Sequence, residues 1–505
     1  MAAPKLVLCV VDAMAPAPLE RAVADGAVPV LGELMRRGRY VSDCVAAFPS
    51  VTPVCAASIT TGAGQERHRI PAMNWYLREE SRYVEYGSSF RASQRVGIAR
   101  QLTDTVYNMN RAHLAAEPLT VFESLDDAGV RTAGTTYLIY RGRHRHEPRR
   151  DSALTRLASS TLARHPVMGP RELFYADIFA SRRTGCRSTL GMPGVRDQHS
   201  GCVGAYMVEH DLFDFMLLSL PDNDWHSHKH GPDGQVQSLA LADRQLARVM
   251  DAAGGIDEFL AEHAVIVMAD HSQALVSDTI DLQGALAEFE VLRPGAAGRR
   301  AASAEARIAV CPSQRAAMVY LLGERRLRAL RSDVVRRALA LDGVELAMWL
   351  ECDAQGVAVE GVIARPSVGE LRFAPGGPVR DARGGSWNLE GEPGVLAGGV
   401  HDGLLQAPDY PDALARVWSA LLCPSSGEVL LSAAPGYEFL DWGKQAHVGG
   451  GSHGSLRAED SLGALIMCGL DNEHPLSVPT SERAEQWSIR DVTPLIRAHF
   501  GLARD

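Results

Sequence analysis

Three apolar runs that each end in an acidic residue constrain this chain most: LVLCVVD (Leu6 to Asp12), FMLLSLPDND (Phe215 to Asp224) and VIVMAD (Val265 to Asp270). Short, β-branched runs in which apolar and polar positions do not alternate read as strands buried on both faces, the pattern of a parallel sheet covered by helices. Between them lie segments such as TVFESLDDAG (Thr120 to Gly129) and DGQVQSLALADRQLARVMDAAG (Asp233 to Gly254), whose apolar positions recur at three and four, as on one face of a helix. Strands alternating with helices predict an α/β fold, a doubly wound, mostly parallel sheet flanked by helices. In open sheets of this kind the ligand site lies beyond the carboxyl ends of the strands, and all three acidic residues stand at that end.

From about Ala296 the character changes. PGAAGRRAASAEAR is a small-residue, arginine-bearing linker, followed by strand-like VYLL, VELAMWLE and VAVEGVIA and by helix-like RRLRALRSDVVRRALAL and PDALARVWSALL. These predict a smaller α+β domain over 300–424, inserted into a core formed by 1–299 and 425–505, with the core resuming at GEVLLSAAPGYEFLDW. A length of 505 residues accommodates both.

Several classes of function are excluded by composition. No apolar run approaches the length of a membrane helix, so no membrane span is expected, and MAAPKLVLCVVDAM reads as a first strand because it lacks a basic leader. The nine cysteines are scattered singly with no CxxC pair, so reduced thiols and a cytoplasmic location are expected in place of a disulfide framework or a thiolate zinc cluster. A formal charge of −10 argues against a nucleic-acid polymer as partner. The basic stretch YRGRHRHEPRR (140–150) is open to two readings, a solvated loop or an anion-steering patch.

The second acidic strand end continues as LPDNDWHSHKHGPD, with Asp222, Asp224, His226, His228 and His230 in nine residues. Carboxylates and imidazoles this close suit a borderline-soft divalent ion such as zinc, or else a polar surface loop. Two Asp-x-x-x-His pairs are available, Asp222 with His226 and Asp224 with His228. The third strand end places Asp270 beside His271, equally consistent with a helix cap, and HVGGGSHGSL puts His453 in a glycine-rich loop where backbone can approach a ligand closely. In FPSVTPVCAASITTG, Thr52 precedes a proline and an apolar helical run, which suits an N-cap followed by proline at the first helical position. A helix N-terminus also presents free amides and positive potential to an anion, so the same hydroxyl stands where a phosphate would be held. Ser50 and Ser58 are rival nucleophiles, Ser58 lying more than a turn inside the helix.

In combination and in this order, Asp12, Thr52, Asp224-x-x-x-His228, Asp270-His271 and His453-Gly454 resemble the alkaline phosphatase superfamily, and within it the type I phosphodiesterase/nucleotide pyrophosphatase family. Thr52 precedes Thr61-Gly62 by the family's spacing between nucleophile and helix end, and HSHKHGPD resembles its His-Lys-x-Gly-Pro ending, which selects Asp224 and His228 over Asp222 and His226. The resemblance implies an alkaline phosphatase-like core and two divalent metal ions, zinc with manganese as an alternative. Asp224, His228 and His453 would hold one, and Asp12, Asp270 and His271 the other, alongside Thr52. Two such ions, about 4 Å apart, clamp the attacking and leaving oxygens of an in-line displacement.

The function implied is hydrolysis of a small phosphorylated substrate, a phosphodiester or nucleotide pyrophosphate, through a phosphothreonine at Thr52. A phosphomonoesterase, a phosphonoacetate-type carbon–phosphorus hydrolase and a metal-dependent phosphomutase are the alternatives. Where the family follows its nucleophile with Phe-Pro-Asn-His, this chain has Pro53, Val54, Cys55 and Ala56. The asparagine that binds a phosphoryl oxygen in nucleotide pyrophosphatases corresponds to Asn74 after a one-residue shift, which makes Asn74 the expected oxyanion donor. Trp75 and Tyr76 beside it are read as packing or as a stacking surface, and His226, His230 and His447 are left without a role.

Overall fold

Strand β1 (Lys5–Val11) shows why its sequence does not alternate. In the computed structural model, which describes residues 3–150, 164–295, 306–323, 327–470 and 486–502, Leu6, Leu8 and Val10 point into one core and Val7, Cys9 and Val11 into another. Helices cover both faces, so every position from Leu6 to Val11 is apolar. The other strands of this sheet are β2 (Arg39–Val45), β3 (Thr132–Gly134), β4 (Glu172–Tyr175), β5 (Phe179–Ala180), β6 (Phe215–Leu220), β7 (His263–Met268) and β8 (Leu462–Cys468), in the order β2-β8-β7-β1-β6-β3-β4-β5. From β7 through β4 all pairings are parallel. β8 runs antiparallel to both its neighbours, and β5 closes the other edge antiparallel to β4.

The helices follow the expected pattern. TVFESLDDAG forms Val121–Asp127 behind a capping box, in which the Thr120 hydroxyl accepts from the Glu123 N–H and the Glu123 carboxylate accepts from the Thr120 N–H. The long amphipathic segment forms Gln235–Asp251, burying Leu239, Ala242, Leu246, Val249 and Met250 against the β1 face that carries Val7.

A second, nine-stranded sheet is built from Ile308–Ser313, Ala316–Leu321, Val429–Ala433, Val344–Cys352, Ala358–Arg365, Gly369–Arg380, Leu404–Gln406 and Gly399–His401, with Ser386–Gly391 on Gly369–Arg380. VELAMWLE and VAVEGVIA form strands, as their composition suggests, and they pair antiparallel. The strand Val429–Ala433, expected in the resuming core, hydrogen-bonds inside this sheet between Ala316–Leu321 and Val344–Cys352. Nothing local in an apolar strand says which sheet it will join. Residue 300, the expected start of the insertion, lies outside the described residues.

One expectation is overturned. Cys186 and Cys202, sixteen residues apart, form a disulfide, so the thiols are not all reduced and the premise for a cytoplasmic location is lost. The bond links the loop before Arg196–Glu209 to that helix, a contact created by the chain folding back and not signalled by cysteine spacing. Among the described residues no helix is long and apolar enough to cross a membrane.

The two sheets are joined through Arg315, fully buried in the turn between Ile308–Ser313 and Ala316–Leu321. Its guanidinium donates to Asp460, Ala434 O (3.1 Å) and Tyr437 O (3.2 Å), and its backbone N–H donates to His453 O at 2.9 Å. Burial raises the Asp460 carboxyl pKa while Arg315 opposes that rise. Arg315→Met leaves this carboxylate buried without its cation, and is expected to cost about 3–5 kcal/mol of stability, read from the urea unfolding midpoint.

Candidate functional site

Because β6, β1 and β7 are adjacent and parallel, whatever follows each of them emerges at one edge of the sheet. Asp12 follows β1, Asp270 lies two residues past β7, and Asp224 sits in the first turn of the helix Asp222–His230 after β6. Backbone and side-chain bonds hold them there. Asp270 Oδ1 accepts from the N–H groups of Ala13 (3.2 Å) and His271 (3.0 Å), and Asn223 Nδ2 donates to Asp12 O at 2.8 Å.

Three histidines meet these carboxylates in one consistent manner. Nδ1 of His228 lies 2.7 Å from Gly451 O, that of His453 2.7 Å from Ser50 O, and that of His271 3.1 Å from Ser272 O. A carbonyl only accepts, so each Nδ1 carries the hydrogen, and in the neutral ring Nε2 presents a lone pair. His228 Nε2 is 3.3 Å from Asp224 Oδ2 and His453 Nε2 3.6 Å from Asp224 Oδ1. His271 Nε2 is 3.5 Å from both Asp12 Oδ1 and Asp270 Oδ2. This is how metal-ligating histidines are held, with the second nitrogen tied to an acceptor.

The donor atoms fall into two groups, Asp12, Asp270, His271 and Asp224, His271, His453, each within 4.8 Å. His271 therefore stands between the two, where sequence reasoning assigned it to one; His228 adjoins the second group through Asp224 and through His453, whose ring centroid is 5.2 Å away. The set fits divalent cations. Asp12 Oδ1 and Asp270 Oδ2 are buried with no hydrogen-bond partner among the described residues. Burial raises the Asp12 pKa, and the carboxylates of Asp270 and Asp224 raise it further, a repulsion that a cation would reverse. Asp224 is held below the usual carboxylate range in spite of its burial, by His228, His453 and His271. Mixed oxygen and nitrogen donors of this kind suit zinc or manganese.

Thr52 is not the helix cap. Val51 takes the extended N-cap position, Thr52 is the first residue of the helix Thr52–Thr61, and its hydroxyl bonds no backbone N–H there. Thr52 Oγ1 instead lies 3.2 Å from His271 Nε2. The rival hydroxyls are engaged elsewhere: Ser50 Oγ donates to Ser455 O and accepts from the Gly454 N–H, both at 3.1 Å, and Ser58 Oγ pairs with His68 Nε2 at 3.1 Å. Asp222 is also occupied, accepting from Arg196 Nε (2.9 Å), Gly194 N (2.8 Å) and Asp197 N (3.1 Å), while His226 packs on His230.

The glycine-rich loop brings His453 in by close backbone approach. A Cβ on Gly450 would lie 2.0 Å from His228 O, so only glycine lets this loop pass the helix that carries His228. His447 in the same loop stacks on His228 at 4.1 Å and binds Glu438 Oε1 through Nδ1 at 2.9 Å.

Asp12, Thr52, Asp224 and Asp270 face a cavity of about 180 Å³, whose wall includes Met73, Tyr86, Tyr137, Tyr175 and Arg196. A wider groove of about 910 Å³, lined by residues of 15–24 and 458–462 among others, lacks this donor set. Asn74 is fully buried with Nδ2 3.4 Å from Glu85 Oε2, and it is not among the cavity's lining residues. Trp75 and Tyr76 pack edge-on to His113 and to Tyr83 and Tyr320. In the basic stretch, Arg141 and Arg143 pair with Glu123 and Asp127.

Sequence reasoning missed Gln273, which donates to Asp224 Oδ1, together with Tyr137 and Arg196. Tyr137 was open to the rule applied to the aspartates, since it follows β3 at the same sheet edge. Arg196 carried no signal among 51 lysines and arginines.

The profile of the type I phosphodiesterase / nucleotide pyrophosphatase family matches residues 6–351. No curated protein matches the chain. Among solved structures, phosphonoacetate hydrolase from Sinorhizobium meliloti 1021, in complex with phosphonoformate, superposes with a TM-score of 0.54 at 16% identity, covering 99% of this chain and 96% of that one. Inactive murine ectonucleotide pyrophosphatase/phosphodiesterase 5 in complex with AMP gives 0.54 at 12% identity with the same coverage, and the human protein 0.53 at 12%. At these identities the likeness establishes an alkaline phosphatase-like fold.

Proposed function

The chain belongs to the type I phosphodiesterase / nucleotide pyrophosphatase family, and from that membership we propose that it is a two-metal hydrolase of a small phosphodiester or nucleotide pyrophosphate, with Thr52 as nucleophile. The observation that carries this reading is the Thr52 hydroxyl, released from capping and 3.2 Å from His271 Nε2, beside two unpartnered carboxylate oxygens. Asp12, Asp270 and His271 would hold one cation beside Thr52, and Asp224, His228 and His453 the other. When bound, the two cations offset the three carboxylate charges, lower the pKa of the attacking oxygen and stabilise the leaving one.

The chain's own residues then do the following. The N-terminal turn of Thr52–Thr61 fixes the direction from which Thr52 Oγ1 approaches the phosphoryl group; Pro53 has no N–H and those of Val54 and Cys55 donate to Val51 O at 3.0 Å, so the helix end acts on the anion through its dipole. Thr52 Oγ1 forms a bond to phosphorus as the bond to the leaving oxygen breaks, giving a phosphothreonine. Water then attacks phosphorus from the vacated side, the bond to Thr52 Oγ1 breaks, and the hydroxyl regains its proton, so configuration is retained after two inversions. A cavity of about 180 Å³ encloses the reacting group and favours substrates of small size.

The test is a matched comparison of an aryl phosphomonoester, a bis-aryl phosphodiester, a phosphonate monoester, phosphonoacetate and a sugar phosphate, each with zinc, manganese or magnesium added to stripped enzyme. The diester is expected to be turned over fastest with zinc. Preference for the monoester, or carbon–phosphorus cleavage of phosphonoacetate, moves the assignment to the corresponding hydrolase. Isomerisation of a sugar phosphate without release of inorganic phosphate makes it a mutase, and inactivity with every metal rejects the proposal.

A further inference from the structure

Three buried side-chain polar atoms of the cavity-lining residues have no hydrogen-bond partner among the described residues: Asp12 Oδ1, Asp270 Oδ2 and the Tyr137 hydroxyl. The first two accept, and a cation answers them. The third is a phenol, 6% exposed, which keeps its proton at neutral pH and needs an acceptor. Two of the neighbouring hydroxyls are already engaged. Tyr86 meets His113 Nδ1 at 2.7 Å, and Thr136 Oγ1 accepts from Ala176 N at 2.7 Å. Asn74, the donor expected from sequence, has its amide on Glu85.

Leaving a donor buried and unpaired is costly, and the cost is removed when a ligand supplies the acceptor. Tyr137 reaches this place because it lies just past β3, whose neighbour β6 carries the helix that bears Asp224. It therefore emerges at the same carboxyl edge as the metal-facing aspartates.

We propose that Tyr137 is an oxyanion donor of this enzyme, its O–H directed at a non-bridging oxygen of the phosphoryl group under attack by Thr52. The inference rests on the reading of Thr52 given above. The phenol keeps its proton throughout, so no proton transfer is involved. It strengthens one hydrogen bond as negative charge gathers on the phosphoryl oxygens, which is how preorganised donors act.

Tyr137→Phe keeps the ring and removes this one donor. The zinc-loaded variant is expected to hold the wild-type zinc content and thermal midpoint, to lose about 10²-fold in kcat on a bis-aryl phosphodiester with KM little changed, and to bind orthovanadate more weakly by a comparable factor. Wild-type kcat and vanadate affinity in Tyr137→Phe overturn the inference. So does a loss accounted for by missing zinc, which makes Tyr137 part of the metal site instead. Thr52→Ala is run alongside: its inactivity keeps the parent reading whatever Tyr137→Phe does, and its retained turnover removes both.

Discussion

Thr52→Ala is expected to lower kcat/KM by about 10³-fold or more, the scale on which loss of a nucleophile acts, while leaving the unfolding midpoint nearly unchanged. The two halves of this result separate two roles. Loss of an N-cap side chain costs about 1 kcal/mol of stability and has no direct chemical consequence. Val51 holds the cap position and the Thr52 hydroxyl bonds no helical N–H, so the stability change should stay within about 0.5 kcal/mol. Thr52→Ser keeps a hydroxyl at the same Cβ and should retain measurable turnover. Radiolabel from a phosphorus-labelled substrate is expected on the acid-quenched wild-type chain and absent from Thr52→Ala. An active Thr52→Ala enzyme of reduced stability would return the residue to the role of a cap.

Removal of metal is expected to abolish turnover, and zinc or manganese to restore it. Stability should change in a way that identifies the charges responsible. Asp12, Asp224 and Asp270 converge on one buried edge, and the Asp12 pKa is raised first by burial and then by the other two carboxylates. Stripped enzyme therefore carries a repulsion that binding relieves, and a ligand at a hundred times its dissociation constant stabilises the folded chain by about 2.7 kcal/mol. Asp12→Asn removes one of the repelling charges. The stripped variant is expected to unfold at a higher temperature than stripped wild type, whereas added zinc should raise the wild-type midpoint by clearly more than that of the variant, which keeps only the Asp224, His228 and His453 site. The variant should be inactive in both conditions. Scanning calorimetry of the four samples reads this directly, and equal zinc-induced shifts in both proteins would remove Asp12 from the metal site.

Much of the fold was legible because it depends on local pattern. Unalternating apolar runs mark strands buried on two faces, the three-and-four spacing of Gln235–Asp251 marks a helix with one buried side, and Thr120 with Glu123 marks its own helix start. Pairings that depend on distant chain were not legible. Val429–Ala433 joined the second sheet, and Cys186 met Cys202, because packing brought them there. The choice of Asp224 over Asp222 illustrates the difference within a single helix. Both carboxylates share the first turn, and one is consumed by Arg196, Gly194 and Asp197 while the other faces three histidines.

The sequence by itself determined which strands end in a carboxylate and in what order the histidines follow, and with adjacent parallel strands that suffices to gather Asp12, Asp224 and Asp270 at one edge. Only the tertiary structure decided that His271 stands between both donor groups, that Thr52 is released from capping and that Tyr137 is left without an acceptor. The physical reason is the range of the interactions. Burial and periodicity act between residues a few positions apart, so they are written in local sequence. A free lone pair or an orphaned hydroxyl is defined by what every other group nearby is bonded to, and those groups come from parts of the chain hundreds of residues apart.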